Sequence, residues 1–320
     1  MTHLGISALI PVKNGSSFLG SFLPSLVTNM RSQDEIVFVN DHSEDDSLSK
    51  IVDYFKNFNK LKVQVLNNKG EGLVSALNLG LDNCSNNWIA RFDVDDKYTS
   101  DRVESQRELI KDETVAIFTD YEFYLNGNES LGTVPTAINS MATKISLVNS
   151  QRTPHPGALI NKEAVKSVGS YQKNDFPAED ISLWLRLAKI GDITGVPRSL
   201  LQYNFNPNST SFLKRNEAIA KKHELIIKYG IPNESVKLFT AEMDVIFDSY
   251  SKHQMPIRRE LLSYNDLITL SAYGYFRRFK PSKIHLKFLQ AMLRPNYIIE
   301  LNKMNLEKKK RKSLRNHYAQ

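Results

Sequence analysis

The sequence predicts an α/β fold built on a mostly parallel, Rossmann-like central sheet flanked by helices. Two observations predict it. Strand and helix patterns alternate through the first hundred residues, as in parallel strands joined by right-handed crossovers. Every polar cluster in that half follows the end of a strand pattern, where open parallel sheets collect their ligands.

Ile6 to Pro11 reads as the first core strand. Ser17 to Met30 reads as a helix, because Phe18, Phe22, Leu26 and Met30 recur at helical spacing along one face. Glu35 to Asn40 is the second strand, and the helix from Ser47 to Phe58 opens after Asp45 and Asp46, acidic residues of the kind helix N-termini favour. Strand Lys62 to Leu66, helix Gly72 to Leu81 and strand Trp88 to Phe92 complete the alternation. Towards the other end, Glu217 to Tyr229 and Ser235 to Ser251 read as helices, with Pro232 marking the break.

The strand exits carry the chemistry. Pro11-Val12-Lys13-Asn14 follows the first strand and Asn40-Asp41-His42-Ser43 the second. Asp41 either hydrogen-bonds the edge of a pyrimidine base or makes an Asx turn that caps the next helix. The third exit, Asn67 to Gly72, has its glycines wrongly spaced for a dinucleotide-binding turn or a P-loop, which argues against a dehydrogenase and a P-loop ATPase. Asn78 on the helix after it serves either function or packing beside Gly80.

The fourth exit is the most informative. Arg91-Phe92-Asp93-Val94-Asp95-Asp96 runs a strand straight into three carboxylates, and period two puts Asp93 and Asp95 on one face. Like charges so placed repel unless a cation sits between them. A hard divalent ion held through a few carboxylate oxygens, with positions open to substrate phosphates, answers that need; the alternative is a solvated acidic turn.

Composition narrows the class. With 41% hydrophobic and 24% charged residues, the chain is that of an ordinary globular protein of one large or two modest domains. The single cysteine, Cys84, excludes an internal disulfide and a thiolate zinc cluster and suggests a reducing, cytoplasmic setting. No secretory signal or repeat is apparent, and no run approaches the ~18 apolar residues of a spanning helix. The net charge of +7 is uneven: from residue 253 onward there are 15 Lys or Arg against 4 Asp or Glu. The first 252 residues are therefore slightly acidic, and no nucleic-acid partner is implied.

Pro11-Val-Lys-Asn14, Asn40-Asp-His-Ser43, Gly72 to Gly80, and Arg91 to Asp96 followed by Asp101 to Gln106, in this order and spacing, resemble the family 2 glycosyltransferases of the GT-A fold. The likeness is to bacterial enzymes that build capsule, O-antigen, lipopolysaccharide or exopolysaccharide. Thr153 to Ile160 resembles that family's His-Pro strand, Val168 to Tyr171 the turn after it, Ala178 to Leu187 the acidic motif opening a helix, and Pro197 to Tyr203 the closing strand. Two positions depart from the pattern, both in the nucleotide pocket: Asn40 stands where Asp is frequent and Lys13 where an aromatic is common.

The resemblance implies a catalytic domain over 1–208, with 1–100 as the nucleotide-binding half and 101–208 as the acceptor half, and a helical, basic region over 209–320. It implies a metal-dependent inverting transferase using a nucleotide sugar, UDP-linked by expectation, and a glycan or lipid-linked acceptor. Asp93 and Asp95, with Asp96 as a further candidate, would hold Mn²⁺ or Mg²⁺. Pro11, Val12, Lys13, Asn14, Asp41, Ser43, Lys69, Gly72, Arg91, Asp93 and Val94 would line the donor site. Arg91 either adds charge near the phosphates or pairs internally with Asp93 or Asp96. Asp180, with Glu179, would be the catalytic base, against a plain N-cap reading. His155 either orients ligand or is structural, and Trp184 either packs in the core or stacks on a sugar. The basic, aromatic-containing stretch 258–312 is expected to touch an anionic inner leaflet, or else to form an ordinary helical subdomain. Two other classes compete: a catalytically silent sugar-nucleotide or glycan-binding protein on the same scaffold, and a sugar nucleotidyltransferase. The latter needs a Gly-rich, basic loop after the first strand, which Pro11 to Gly15 does not supply.

Overall fold

The computed structural model describes residues 4–229 apart from 60, 126–128, 135, 137–139, 141–142, 144–146, 148–152 and 207–208. The alternation predicted for the first half is present as β1 (Ile6–Val12), α1 (Ser16–Thr28), β2 (Glu35–Asn40), α2 (Ser47–Phe55), β3 (Lys62–Asn67), α3 (Gly72–Asn83) and β4 (Trp88–Arg91). After it come β5 (Lys97–Tyr98), α4 (Arg102–Arg107), β6 (Thr114–Leu125), β7 (Glu129–Val134), β8 (Leu159–Asn161) and α5 (Lys162–Ser167). The last elements described are α6 (Glu179–Leu187), β9 (Asp192–Phe205), α7 (Thr210–Leu213) and α8 (Arg215–Tyr229). The expectations for Ser235–Ser251 and for membrane contact through 258–312 lie outside the described residues.

One sheet runs β3-β2-β1-β4-β8-β6-β9-β5, with β7 paired to β6. Its first four strands are mutually parallel; Ala8 of β1 lies between Ile36 and Ala90. β8 is antiparallel to both β4 and β6, while β6 and β9 are parallel. Period two divides the core. Ile6, Ala8, Ile10 and Val12 pack with Leu19, Phe22 and Leu26 of α1 and Ile51 and Phe55 of α2 on one face. Leu9, Val37 and Val39 pack with Val74, Leu77 and Leu81 of α3 on the other, which continues into Leu183, Trp184 and Leu187 of α6. Gly80 lets α3 lie close on the sheet, since a Cβ there would run into Leu9 and Val39.

Several boundaries differ from expectation. α2 stops at Phe55, and a turn, Phe58 N–H to Phe55 C=O at 2.9 Å, folds Phe58 back against Tyr54 and Phe55. β4 ends at Arg91, so Asp93 to Asp96 form a turn, closed by Asp96 N–H to Asp93 C=O at 3.4 Å, and not a strand face. α6 runs from Glu179 to Leu187, so the acidic pair lies inside its first turn. His155–Gly157 is a 3₁₀ turn leading into β8. β6 and the long β9 carry the second half of the sheet, where the sequence offered little.

Candidate active site

The strand exits converge on one cleft of about 720 Å³, lined by Pro11, Val12, Lys13, Asn14, Asp41, Gly72 and the turn Asp93 to Asp96. Its far wall is Phe176, Tyr203, Asn204, Asn206, Ser209 and Thr210. The exits brace one another. Asn14, in the left-handed region at φ 50° that asparagine tolerates, donates its N–H to Ser43 Oγ at 3.0 Å and accepts from Glu44 N–H at 2.8 Å. Asp45 accepts from Ser16 N–H and Ser47 N–H, both at 3.0 Å, and so ties the starts of α1 and α2 together. Gly72 opens α3 at φ +82°, a backbone that a side chain would strain.

The acidic turn is held rigidly. Arg91, 1% exposed, sets Nη2 2.6 Å from Asp93 Oδ1, and its other bonds go to the backbone carbonyls of Leu9 and Phe92. Tyr98 Oη accepts Asp93 N–H at 2.8 Å and donates to Asp93 C=O at 3.2 Å. The Arg102 guanidinium stacks 4.2 Å from the Phe92 ring centroid and 4.9 Å from that of Tyr98. Asp95 accepts from Asn206 Nδ2 at 3.2 Å, and Asp96, buried, from Asn204 N–H at 2.8 Å. Burial, then the charge of Asp93, pushes the Asp95 carboxyl up to about 6. Burial, then Asp95 and Asp93, raises the Asp96 carboxyl well above the ordinary carboxylate value.

These groups fit a hard cation. Among the described residues no cluster of three or more His, Cys, Asp or Glu is poised as a full metal cage. Two carboxylates on a cleft wall, one destabilised by burial and by its neighbour's charge, match an ion that draws its other ligands from water and phosphate oxygens. Asp95 and the Asp93 oxygen not bound by Arg91 are the atoms available.

The second acidic group sits at the N-terminus of α6. Glu179 is buried, with Oε2 free of any hydrogen bond, and burial followed by the charge of Asp180 raises its pKa strongly. Asp180, half-buried, accepts from Ile181 N–H at 2.7 Å; burial raises its pKa, while Lys222 on α8 pulls it down. Arg91 acts electrostatically on Glu179, Asp180 and Asp95, and Asp93 acts on Glu179, so both acidic groups share one field. Asp180 does not line the 720 Å³ cleft itself; Phe176, four residues before it, does.

Besides Glu179 and Asp180, five predicted residues lie outside this cleft: Arg91, Lys69, Ser43, Trp184 and His155. Arg91 is an internal partner of Asp93 and not a phosphate contact, because a fully buried guanidinium finds its acceptors inside the protein. Lys69 lines a separate trough with Asn67, Asn78, Tyr171 and Lys173. Ser43 bonds the β1 exit instead of facing the cleft. Trp184 is fully buried, edge-on to Phe118 at 5.0 Å between centroids, and has no face open to a sugar. His155 is buried and neutral, its Nε2 2.8 Å from Tyr171 Oη, which favours the structural role. Asn78 exchanges two hydrogen bonds with the backbone of Tyr171, 2.9 and 3.1 Å, and so serves packing. Sequence reasoning missed Asn68, Tyr98, Asn204 and Asn206. Only Asn68 gave a signal, as half of an Asn-Asn pair at a strand exit.

A mixed sheet whose parallel-strand exits bear a base-edge carboxylate candidate and an Asp-x-Asp turn, with a second acidic pair beyond, matches a glycosyltransferase of the GT-A fold. The comparisons agree. The model of Glycosyl transferase family 2 matches residues 7–169, and the chain belongs to that family. It is 31% identical over 184 residues to the amylovoran biosynthesis glycosyltransferase AmsE of Erwinia amylovora, covering 56% of this chain and 68% of that protein. It is 29% identical over 185 residues to the UDP-Gal:alpha-D-GlcNAc-diphosphoundecaprenol beta-1,3-galactosyltransferase of Escherichia coli, covering 55% and 64%. Among solved structures, S. aureus TarS 1–349 in complex with UDP-GlcNAc superposes with a TM-score of 0.57 at 14% identity, covering 97% of this chain and 92% of that one. The mannosyltransferase PcManGT of Pyrobaculum calidifontis, in complex with GDP-Man and Mn²⁺, gives 0.58 at 14%, covering 94% and 84%.

Proposed function

We propose that the chain transfers a sugar from a UDP-linked donor to a hydroxyl of a glycan or lipid-linked acceptor in surface polysaccharide biosynthesis, with inversion and with Mn²⁺ or Mg²⁺. The observation that carries this reading is that Asp41 and the pair Asp93 and Asp95 stand on the wall of a single cleft. One end thus offers a carboxylate to a base and the other a charge pair suited to a metal diphosphate. A relative named for amylovoran biosynthesis and one named as a galactosyltransferase on GlcNAc-diphosphoundecaprenol support the acceptor class.

Bound at Asp95 and Asp93, the ion would neutralise charge developing on the leaving diphosphate. The chain's own residues do the rest. Arg91 and Tyr98 hold Asp93 in place. Asp180 takes the proton of the acceptor hydroxyl as its oxygen bonds the anomeric carbon, and the breaking C–O pair leaves with the diphosphate. Attack opposite the leaving group inverts the centre. Glu179, held neutral by burial and by the charge of Asp180, adds no second negative charge beside that base.

The test is calorimetric titration of UDP with Mn²⁺ into the full chain and into an Asp93→Ala/Asp95→Ala variant. Loss of metal-dependent binding supports the reading, and intact binding overturns the site. Membrane contact by 258–312 is a further part of the proposal, resting on the sequence. Liposome co-sedimentation with and without 302–320 checks it, and equal pelleting removes it.

A further inference from the structure

Asn68 is the most heavily bonded side chain at the strand exits, and the cleft's own chemistry does not explain it. It is 4% exposed. Its Nδ2 donates to Asp41 Oδ1 at 2.7 Å and reaches Gly72 C=O at 3.5 Å. Its Oδ1 accepts from Gly70 N–H at 3.1 Å and from Ser75 Oγ at 2.9 Å. Its backbone N–H donates to Asn40 C=O at 2.9 Å. All the hydrogen-bonding capacity of the amide is used, and the Gly70 N–H, which can only donate, fixes which end is oxygen and which nitrogen. The nitrogen must therefore face Asp41.

We infer that Asn68 is a positioning residue that sets base selectivity, by holding Asp41 Oδ1 so that only Oδ2 is left for a ligand in the cleft. This rests on the reading of Asp41 as a base contact. An ionised carboxylate oxygen is an acceptor only. It accepts the N3–H of uracil and repels the N3 lone pair of cytosine. A carboxylate free to rotate presents either oxygen at many angles, and loses the directional half of that discrimination. Fixed by a buried, charge-assisted bond to an amide that is itself fixed on two sides, it keeps one direction. Asn68 touches no ligand in this account; it acts through Asp41.

The experiment measures the Kd of UDP and of CDP, each with Mn²⁺, for the full chain, Asn68→Asp, Asn68→Ala, Ser75→Ala, Asp41→Ala and the Asp41→Ala/Asn68→Ala double variant. Asn68→Asp is isosteric but sets a second carboxylate against Asp41. It is expected to weaken UDP about tenfold and to lower the preference for UDP over CDP by a similar factor, the worth of one hydrogen bond to a charged group. The double variant is expected to be no worse than Asp41→Ala alone, since Asn68 has nothing to position once the carboxylate is gone. Ser75→Ala, which removes a single hydroxyl and frees one side of the amide, should shift the ratio in the same direction by a smaller amount. If Asp41→Ala changes the UDP to CDP ratio while the Asn68 and Ser75 variants leave it untouched, the positioning role is wrong and the base contact stands. If Asp41→Ala leaves the ratio unchanged, the base contact itself fails and takes the inference with it.

Discussion

Arg91 Nη2 lies 2.6 Å from Asp93 Oδ1, and this contact divides the labour of the two aspartates of the acidic turn. Asp93 is charge-balanced from behind by a buried cation. Asp95 is not, and its raised pKa reports burial and the repulsion of Asp93. The pair therefore responds unequally to neutral isosteres. Asp93→Asn leaves a 1% exposed guanidinium without its counter-charge, and removal of one partner of a buried pair costs about 3–5 kcal/mol. Asp93 is one-third exposed, which places the loss near the lower figure. Asp95→Asn relieves repulsion and should leave the melting temperature unchanged or raised. Both should lose Mn²⁺-dependent UDP binding. Calorimetry and thermal denaturation on the same samples check the split; equal destabilisation would show that Arg91 does not distinguish them.

Tyr98 supplies the second hold on the turn, since its hydroxyl bonds both the N–H and the C=O of Asp93. Tyr98→Phe leaves the Asp93 N–H unpaired beside the core, its C=O still accepting from Asp96 N–H, at a cost of about 1–3 kcal/mol. The turn then loosens. The expected result is a lower melting temperature together with UDP affinity in Mn²⁺ several-fold weaker, while metal-free stability ranks above that of Asp93→Asn. A variant destabilised but with unchanged UDP affinity would make Tyr98 a core residue only.

The acidic pair at the start of α6 gives a pH prediction. Burial, then Asp180, raises Glu179 to about 8 from an ordinary value of 4.5. The folded protein thus holds a proton that the unfolded chain releases. The stability this contributes is complete below the unfolded pKa and falls as pH rises towards 8, by a few kcal/mol in all. Glu179→Gln removes the ionisation, so its melting temperature should vary less with pH between 5 and 8. Asp180 is raised to about 6, and a base must be deprotonated to accept a proton, so turnover should climb through that region and be lost in Asp180→Asn at every pH. A flat profile of rate against pH from 5 to 7 would remove Asp180 as the base.

What the sequence revealed and what it concealed follow from the range of each interaction. The alternation of β1 to β4 with α1 to α3 is local, written in spacing and in the residues at strand exits, and it appears almost as read. Contacts between Asn68 and Asp41, Tyr98 and Asp93, or Asn206 and Asp95 depend on how exits 5 to 111 residues apart meet, and no local pattern carries that. Arg91 shows the same limit from the other side. Its position beside Asp93 fitted either a phosphate contact or an internal pair, and only the depth of β4 in the sheet decides for the pair. Even the argument that placed Asp93 and Asp95 on one face rested on a strand that stops at Arg91. A turn braced by Tyr98 brings both to the cleft wall by a different route.

Asn78 separates stability from binding. It lies on α3, outside the cleft lined by Asp41 and Asp95, and clamps the backbone N–H and C=O of Tyr171, 93 residues away, with its own amide. Asn78→Ala breaks both bonds and leaves two backbone groups to be rehydrated or stranded, at about 1–3 kcal/mol. Tyr171 Oη also bonds His155, and the turn that carries Tyr171 precedes α6 by eight residues. The loss should therefore spread towards Asp180 and not towards Asp41. The expected signature is a melting temperature lower by several degrees, UDP affinity in Mn²⁺ unchanged, and a reduced turnover number. If UDP affinity falls in step with stability, Asn78 reaches the donor cleft after all, and the division of the site into a donor side on α3 and a proton-accepting side on α6 must be redrawn.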